Sequence, residues 1–365
     1  MLIVVAILLC TLAALHPVRL GRIRFDILTV PLLVLLVLFL SGEITPDTIR
    51  LGVLGTGGLH PWEILVIFFT TAYVSVSVDV SGVLDWLAFK VIRRSRGNGL
   101  RLFVFFYLFS CVLTVFTSND IVILILTPII FYLGRHAELN VLPLLFAEYF
   151  GANTASMLLL IGNPTNVIVG SALRISFAEF TRVMWFPTLT AVTATGALLF
   201  WRFRQELTRG FAVPESAPFG VRSRWDALFS SSVLLLMLGF LSVSHRLGVP
   251  IWVITAGAAL VLVIEDLLFG IYYVGRKIRL PLLLRDEETI HAFEAYGIRE
   301  HALESWITIK RVPWKIAPFV TVLFILVAGL NKNGLTVLFE HQLAVLGDGT
   351  GLPVFVWGGA AALVC

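Results

Sequence analysis

Ten apolar runs separated by short polar stretches decide what this chain can become. They are Leu2–Leu15, Ile27–Leu40, Trp62–Ile92, Leu102–Leu133, Val141–Leu173, Phe180–Trp201, Ala227–Ser244, Val249–Tyr273, Ile316–Leu338 and Leu352–Cys365. A helix crosses about 30 Å of hydrocarbon with roughly 20 apolar residues, each rising about 1.5 Å. Runs of this length and density require a bilayer. The first run begins directly after Met1 without a basic leader, so it reads as a first span rather than a signal peptide. Only 14% of the residues are charged, against roughly 25% in soluble chains. That balance excludes a disordered regulator, a nucleic-acid module and a conventional cytosolic enzyme. The net charge of +4 is spread over short loops rather than gathered on one face, which argues against a nucleic-acid partner. Cys10, Cys111 and Cys365 are too far apart to read as a disulfide framework or a zinc site, and the histidines show no ligand spacing. No metal and no cofactor is expected. The chain reads as an all-α polytopic protein of the plasma (inner) membrane.

Lysine and arginine orient such a chain, because basic loops stay cytoplasmic. If the helices alternate and the interrupted run Leu102–Leu133 enters and leaves on one side, 22 of the 27 basic residues fall on one face. Treating that run as one full crossing would destroy the asymmetry. The charge pattern therefore predicts a re-entrant hairpin.

Two interruptions carry the chemistry. The first is Thr117-Ser118-Asn119-Asp120, followed by an apolar stretch and Thr127-Pro128. Its arms, Leu102–Thr117 and Ile121–Leu133, are about 16 and 13 residues long, or roughly 24 and 20 Å as helix. Neither arm alone is long enough to cross, so the polar tip is expected near mid-membrane. A carboxylate at that depth is costly and marks an ion or proton site, which singles out Asp120. The second interruption is Gly162-Asn163-Pro164-Thr165-Asn166, inside Val141–Leu173. Pro164 removes a backbone donor and Gly162 permits unusual torsions. Helices broken at polar residues are how secondary transporters build midplane sites. Unwound carbonyls there suit a cation, and a half-helix N-terminus suits an anion.

Other polar groups lie within the apolar runs. Glu148 sits between the two interruptions, followed by Asn153, Thr154 and Ser156, and is a second candidate proton carrier. Asp79 reads either as a buried hydrogen-bonded residue or as a third carrier. Asp85 lies six residues on in the same run, about 600° away on a helical wheel, so the two do not share a face.

An internal repeat is also visible. Pro61-Trp62 and Pro313-Trp314 are offset by 252 residues, and each is followed by an apolar helix, a polar patch and a glycine, Gly82 or Gly334. The charge map runs the two copies in opposite directions, which is the inverted-repeat architecture of many secondary transporters. The division expected is a first repeat over 1–210, with scaffold helices in 1–92 and a hairpin and broken-helix transport part in 100–201. A second, inverted repeat follows over 211–365, with a cytoplasmic linker at 275–313. The counterpart of the hairpin tip falls near position 370, beyond Cys365, so the second repeat is expected to be incomplete here.

These residues resemble the ion transporter superfamily, and within it most closely the arsenite/antimonite efflux permeases. The resemblance rests on Gly97-Asn98-Gly99-Leu100, the tip Ser118-Asn119-Asp120 with Leu126-Thr127-Pro128-Ile129, and Ala152-Asn153-Thr154-Ala155-Ser156. Gly162-Asn163-Pro164-Thr165-Asn166, Pro313-Trp314 and Gly329-Leu330 complete it. It implies an inverted-repeat fold whose transport part moves like an elevator. It also implies a substrate or ion site lined by Ser118, Asn119 and Asp120 from the hairpin, with Asn153, Gly162, Asn163, Thr165 and Asn166 from the broken helix. Two features depart from the permease pattern. Those permeases carry an acid where this chain has Asn153, and the Gly-Asn-Pro-Thr-Asn motif is closer to the citrate and dicarboxylate branch. Asp120 also suits a sodium/proton antiporter.

The leading expectation is proton-coupled efflux of an arsenite- or antimonite-like solute, with Asp120, Glu148 or Asp79 carrying the proton and a homodimer as the assembly. The alternatives are a citrate or other anion permease and a sodium/proton antiporter. An absence of Lys and Arg beside either motif favours a neutral solute or a cation. An intramembrane enzyme would need a Ser–His pair or depth-matched aspartates, and neither is evident.

Overall fold

The computed structural model describes residues 2–20, 23–55, 60–136, 139–172, 175–207, 210–211, 224–274 and 308–332. Most of the linker at 275–313, Gly334, His291, His301, His341 and the run Leu352–Cys365 lie outside the described residues. The protein is all-α and polytopic. Five helices among the described residues are long and apolar enough to cross a membrane, and one two-stranded hairpin is the only sheet found there.

Contacts divide the chain into two compact units. The first comprises residues 1–62 and 314–365. It opens with α1 (Leu2–Leu15), which buries Ile3, Ala6, Cys10 and Ala13 at helical spacing and leaves leucines on the remaining face. Strands β1 (Val18–Leu20) and β2 (Ile23–Phe25) then pair antiparallel, with Val18 opposite Phe25 and Arg19 opposite Arg24. Asp26 closes this turn. Its Oδ1 accepts the backbone N–H groups of Leu28 at 3.0 Å and Thr29 at 3.2 Å, at the start of α2 (Thr29–Leu40). Those two bonds hold the Asp26 carboxyl below its ordinary value, with the Arg24 charge a smaller contributor. Helix α3 (Pro46–Leu54) is capped by the Thr45 side chain. The core of the unit gathers Ile3, Ala6, Cys10, Leu38 and Ile44 around Val322, Ile325 and Leu326 of the late helix at Ile316–Lys332.

The second unit spans residues 63–313. Helices α4 (Pro61–Val80) and α5 (Val83–Arg94) divide the run Trp62–Ile92 at Ser81-Gly82. Gly82 adopts φ +78°, a left-handed conformation open to glycine, and its N–H bonds the Asp79 carbonyl at 2.8 Å. The run is therefore not one helix. Next come α6 (Gly99–Phe116), α7 (Asn119–His136) and α8 (Leu142–Ala155). A short 3₁₀ turn (Leu160–Gly162) leads into α9 (Pro164–Ala172), followed by α10 (Phe177–Phe203), α11 (Arg224–Leu247) and α12 (Ile251–Val274). The helix at Ile316–Lys332 is α13.

Helix α8 is central to this unit and packs against α6, α7 and α10, while α11 packs on α12. Tyr107 of α6 donates to the Val192 carbonyl of α10 at 2.6 Å, fixing that side of the bundle. Trp185, Phe186, Leu189, Leu198 and Trp201 of α10 are exposed. In a membrane helix such a surface meets lipid, where an apolar side chain has no reason to be buried.

Both interruptions fall where the sequence places them, but the hairpin arms are longer than expected. Each has 18 residues, about 27 Å of helix. Asn98 caps α6 early by accepting the Arg101 N–H at 2.9 Å, and α7 runs on through polar Arg135 to His136. The expectation that neither arm is long enough to cross is corrected accordingly, since α6 is among the five helices long and apolar enough to do so.

Candidate functional site

The tip between α6 and α7 is built by local capping. Thr117 ends α6, its N–H and hydroxyl both donating to the Leu113 carbonyl at 2.9 Å. Ser118 begins the next helix by accepting the Val122 N–H at 3.1 Å. Asn119 and Asp120 thus occupy the first turn of α7, where free N–H groups and the helix dipole favour negative charge.

Asn119 is buried, and its Nδ2 donates to Asn153 Oδ1 of α8 at 3.1 Å. Asn153 is itself held by an Nδ2 bond to the Tyr149 carbonyl at 2.8 Å. Asn119 Oδ1 is sealed from solvent and has no hydrogen-bond partner among the described residues. A buried carbonyl oxygen left this way loses on the order of 1–3 kcal/mol unless a donor is supplied. Among the described residues no ion pair or hydrogen bond engages the Asp120 carboxylate.

Eight residues along α7, Thr127 donates from Oγ1 to Glu148 Oε1 of α8 at 3.0 Å. Glu148 is 1% exposed. Asp120 and Thr127 are seven positions apart and lie on one face of α7, about 10 Å apart along its axis. Helices α7 and α8 are therefore joined by two polar bridges, Asn119–Asn153 and Thr127–Glu148, with Asp120 on the Thr127 side. Thr127 had been only part of a flanking motif. Its signal was a hydroxyl directly before Pro128 within an otherwise apolar helix.

The break between α8 and α9 has its own network. Asn163 Oδ1 accepts the Thr165 N–H at 3.1 Å and the Thr165 hydroxyl at 2.9 Å, capping α9. Asn166 Nδ2 donates to the carbonyls of Ser156 at 2.8 Å and Leu159 at 2.9 Å. Two of the carbonyls freed by the break are thus taken up by Asn166. Gly162 is required sterically, because a Cβ there would stand 2.4 Å from the Ser156 carbonyl oxygen. The tip is brought to Asn153. Among the described residues, no hydrogen bond joins the tip to Gly162, Asn163, Thr165 or Asn166.

Asp79 is placed elsewhere. It is buried near the end of α4 and forms an ion pair with Arg311, 232 positions away. No local signal in the sequence could have identified that partner. Asp79 and Asp85 both line a cavity of about 340 Å³, together with Arg311 and the Ile121–Ile129 stretch of α7. The expectation that Asp79 and Asp85 look apart is corrected. It assumed a continuous helical wheel, and the wheel is broken at Gly82. A further polar contact, Tyr73 of α4 donating to Asp266 of α12, also joins distant segments.

Comparison with known proteins follows the same lines. A sequence model of the citrate transporter family (CitMHS) matches residues 4–365. The arsenical pump membrane protein of Escherichia coli K12 is 28% identical over 317 residues, covering 80% of this chain and 65% of its own length. An uncharacterized transporter of Synechocystis is 23% identical over 77% of this chain and 57% of its own. The inner membrane protein YbiR of Escherichia coli K12 is 30% identical over 49% of this chain and 48% of its own. The chain thus spans just under two thirds of the length of the arsenical pump proteins it matches.

Proposed function

Because this chain belongs to the citrate transporter (CitMHS) family, we propose that it is the greater part of a proton-coupled secondary transporter that extrudes a small, neutral, hydroxyl-bearing solute of the arsenite or antimonite type. One observation carries this reading. Asn119 Oδ1 is buried without a partner at a hairpin tip held by a neutral amide, Asn153. Such a tip accepts a hydrogen bond from a hydroxyl of an uncharged solute and offers no cation to neutralise an anion. The similarity to the arsenical pump membrane proteins supports the same solute class.

Ser118, Asn119, Asp120 and Asn153 form the first half of the proposed site. Gly162, Asn163, Thr165 and Asn166 shape the break beside it. Asp120 and Glu148 carry the coupling proton, because both are intramembrane carboxylates with no ion pair among the described residues. Asp79, ion-paired with Arg311, is not assigned the proton. An inverted second repeat completes the transport domain, which works as a homodimer in the plasma (inner) membrane.

A second reading keeps the protein and changes the solute to citrate or another carboxylate. The family's own description favours it, as does the Gly-Asn-Pro-Thr-Asn motif at the start of α9. Exchange of sodium for protons is the third option that Asp120 allows. The deciding experiment uses the full-length gene product in proteoliposomes with an imposed proton gradient. Gradient-driven arsenite flux, abolished by Asn119→Ala, is the expected result. Citrate or sodium flux without arsenite flux would overturn the metalloid reading in favour of the corresponding alternative.

A further inference from the structure

The β-hairpin between α1 and α2 has two chemically different faces. Successive strand residues point to opposite faces, so Arg19 and Arg24, which stand directly opposite one another, share one face. Val18 and Phe25, the neighbouring cross-strand pair, share the other. Both arginines are exposed, and so is Val18. Like charges directly opposite weaken a strand pair. The local counter-charge is one carboxylate, because Asp26 is the only acidic residue before Glu43. Arg24 Nε lies 3.6 Å from Asp26 Oδ2, and Asp26 Oδ1 is already taken by the Leu28 and Thr29 N–H groups. Arg19 has no ion pair among the described residues.

The helices that lead into and out of this β-hairpin present apolar side chains. Leu12 and Leu15 of α1 are more than half exposed, and Leu32 and Leu33 of α2 nearly half. In a membrane protein such leucines meet acyl chains. Helices α1 and α2 have only 14 and 12 residues, about 21 and 18 Å of helix, short of the roughly 30 Å of hydrocarbon. The β-hairpin that joins them is therefore held at the level of the lipid headgroups. We propose that Arg19 and Arg24 together hold the phosphate of an anionic phospholipid, such as a phosphatidylglycerol, in the cytoplasmic leaflet. A monoanionic phosphodiester matches the one positive charge left when Asp26 is set against two guanidinium groups. Each guanidinium can also offer two parallel N–H groups to phosphate oxygens. Basic loops lie on the cytoplasmic side, where juxtamembrane arginines meet anionic lipid. The bound lipid turns a repulsive cross-strand pair into a clasp and pins the α1–α2 corner to the membrane surface. This assignment does not depend on which solute is transported.

The test places the full-length protein in nanodiscs of phosphatidylcholine, with or without phosphatidylglycerol, and reads backbone hydrogen exchange in the two strands. Phosphatidylglycerol should slow that exchange about fivefold in the wild type. Arg19→Gln should abolish the slowing. In phosphatidylcholine alone the same variant should exchange no faster than the wild type, because the repulsion between the arginines is relieved. A merely structural arginine would not produce effects that differ in this way between the two lipids. Arg50→Gln, which changes an exposed arginine of the same unit, should leave the lipid effect intact. The proposal is overturned if Arg19→Gln keeps the full phosphatidylglycerol effect or if Arg50→Gln loses it equally. It is also overturned if soluble glycerol phosphate reproduces the effect in phosphatidylcholine nanodiscs, which would make the β-hairpin a free-anion site. If Arg19→Gln does not fold, Arg24→Gln decides instead, since each variant is compared with itself in the two lipids.

Discussion

Asn119 at the start of α7 and Asn153 near the end of α8 are 34 positions apart, and their side-chain amides meet at 3.1 Å. The Thr127–Glu148 bond repeats the connection further along the same two helices. Two polar bridges in an apolar pair of helices fix their register, since sliding either helix by one turn would break both. They also leave one acceptor, Asn119 Oδ1, waiting for a donor.

The Asn119–Asn153 bridge makes the first prediction. Asn119→Ala and Asn153→Ala should each lower solute flux at least tenfold, and the double variant should be no worse than the more damaging single, because the two side chains act as one unit. Each should cost only about 0.5–2 kcal/mol in stability, the range of polar contacts between membrane helices. Flux in proteoliposomes and thermal stability in detergent separate the two effects. Fully additive losses would show that the residues act independently.

Proton coupling is tested at Glu148 and Asp120. Glu148→Gln keeps a hydrogen-bonding partner for Thr127 but cannot titrate, and Asp120→Asn keeps the helix-start polarity. At least one of them should leave flux indifferent to an imposed proton gradient while preserving solute exchange. If both variants still follow the gradient as the wild type does, neither residue carries the proton.

Gly162→Ala should disturb the break between α8 and α9, because its methyl group would stand 2.4 Å from the Ser156 carbonyl oxygen. The neighbour is backbone that Asn166 also holds, so relief requires the turn to move. A loss of about 1–3 kcal/mol is expected, as for other overpacked sites, with a lower melting temperature and lower flux. Gly239→Ala in α11 is the control, since nothing lies within 4 Å of a Cβ there. Equal melting temperatures for the two variants would contradict the steric argument.

Acidification should loosen the start of α2. The Asp26 carboxyl is held below its ordinary value by the Leu28 and Thr29 N–H groups. A depressed folded pKa means that the stabilisation is present above the unfolded carboxyl value and is lost as pH falls through the folded one. Hydrogen exchange at Leu28 and Thr29, corrected for intrinsic rates, should show protection at neutral pH that fades below the usual carboxylate range. Asp26→Ala should show little protection at either pH, and unchanged protection in that variant would refute the cap.

How much of this was legible in the sequence differs from element to element. The all-α membrane class, the two interruptions and the family resemblance followed from apolar run lengths and from polar residues where a bilayer penalises them. The break at Ser81-Gly82 was missed, because within an apolar run one glycine looks like a tolerated helical residue. Its left-handed φ, and so the placing of Asp79 and Asp85 on one cavity, appears only once the chain is folded. The arms of the hairpin were underestimated because polar caps such as Asn98 extend helices beyond their apolar stretch.

By itself the sequence determined where the chain must leave water and where its helices must break, since both are local consequences of hydrophobicity and backbone chemistry. Only the tertiary structure decided which polar group serves which. It paired Asn119 with Asn153, Thr127 with Glu148 and Asp79 with Arg311, turned Thr165 toward Asn163, and turned Asn166 back onto the Ser156 and Leu159 carbonyls. The reason is physical. In a low-dielectric interior every buried polar group must find a partner, and which partner it finds depends on helix packing between residues up to 232 positions apart.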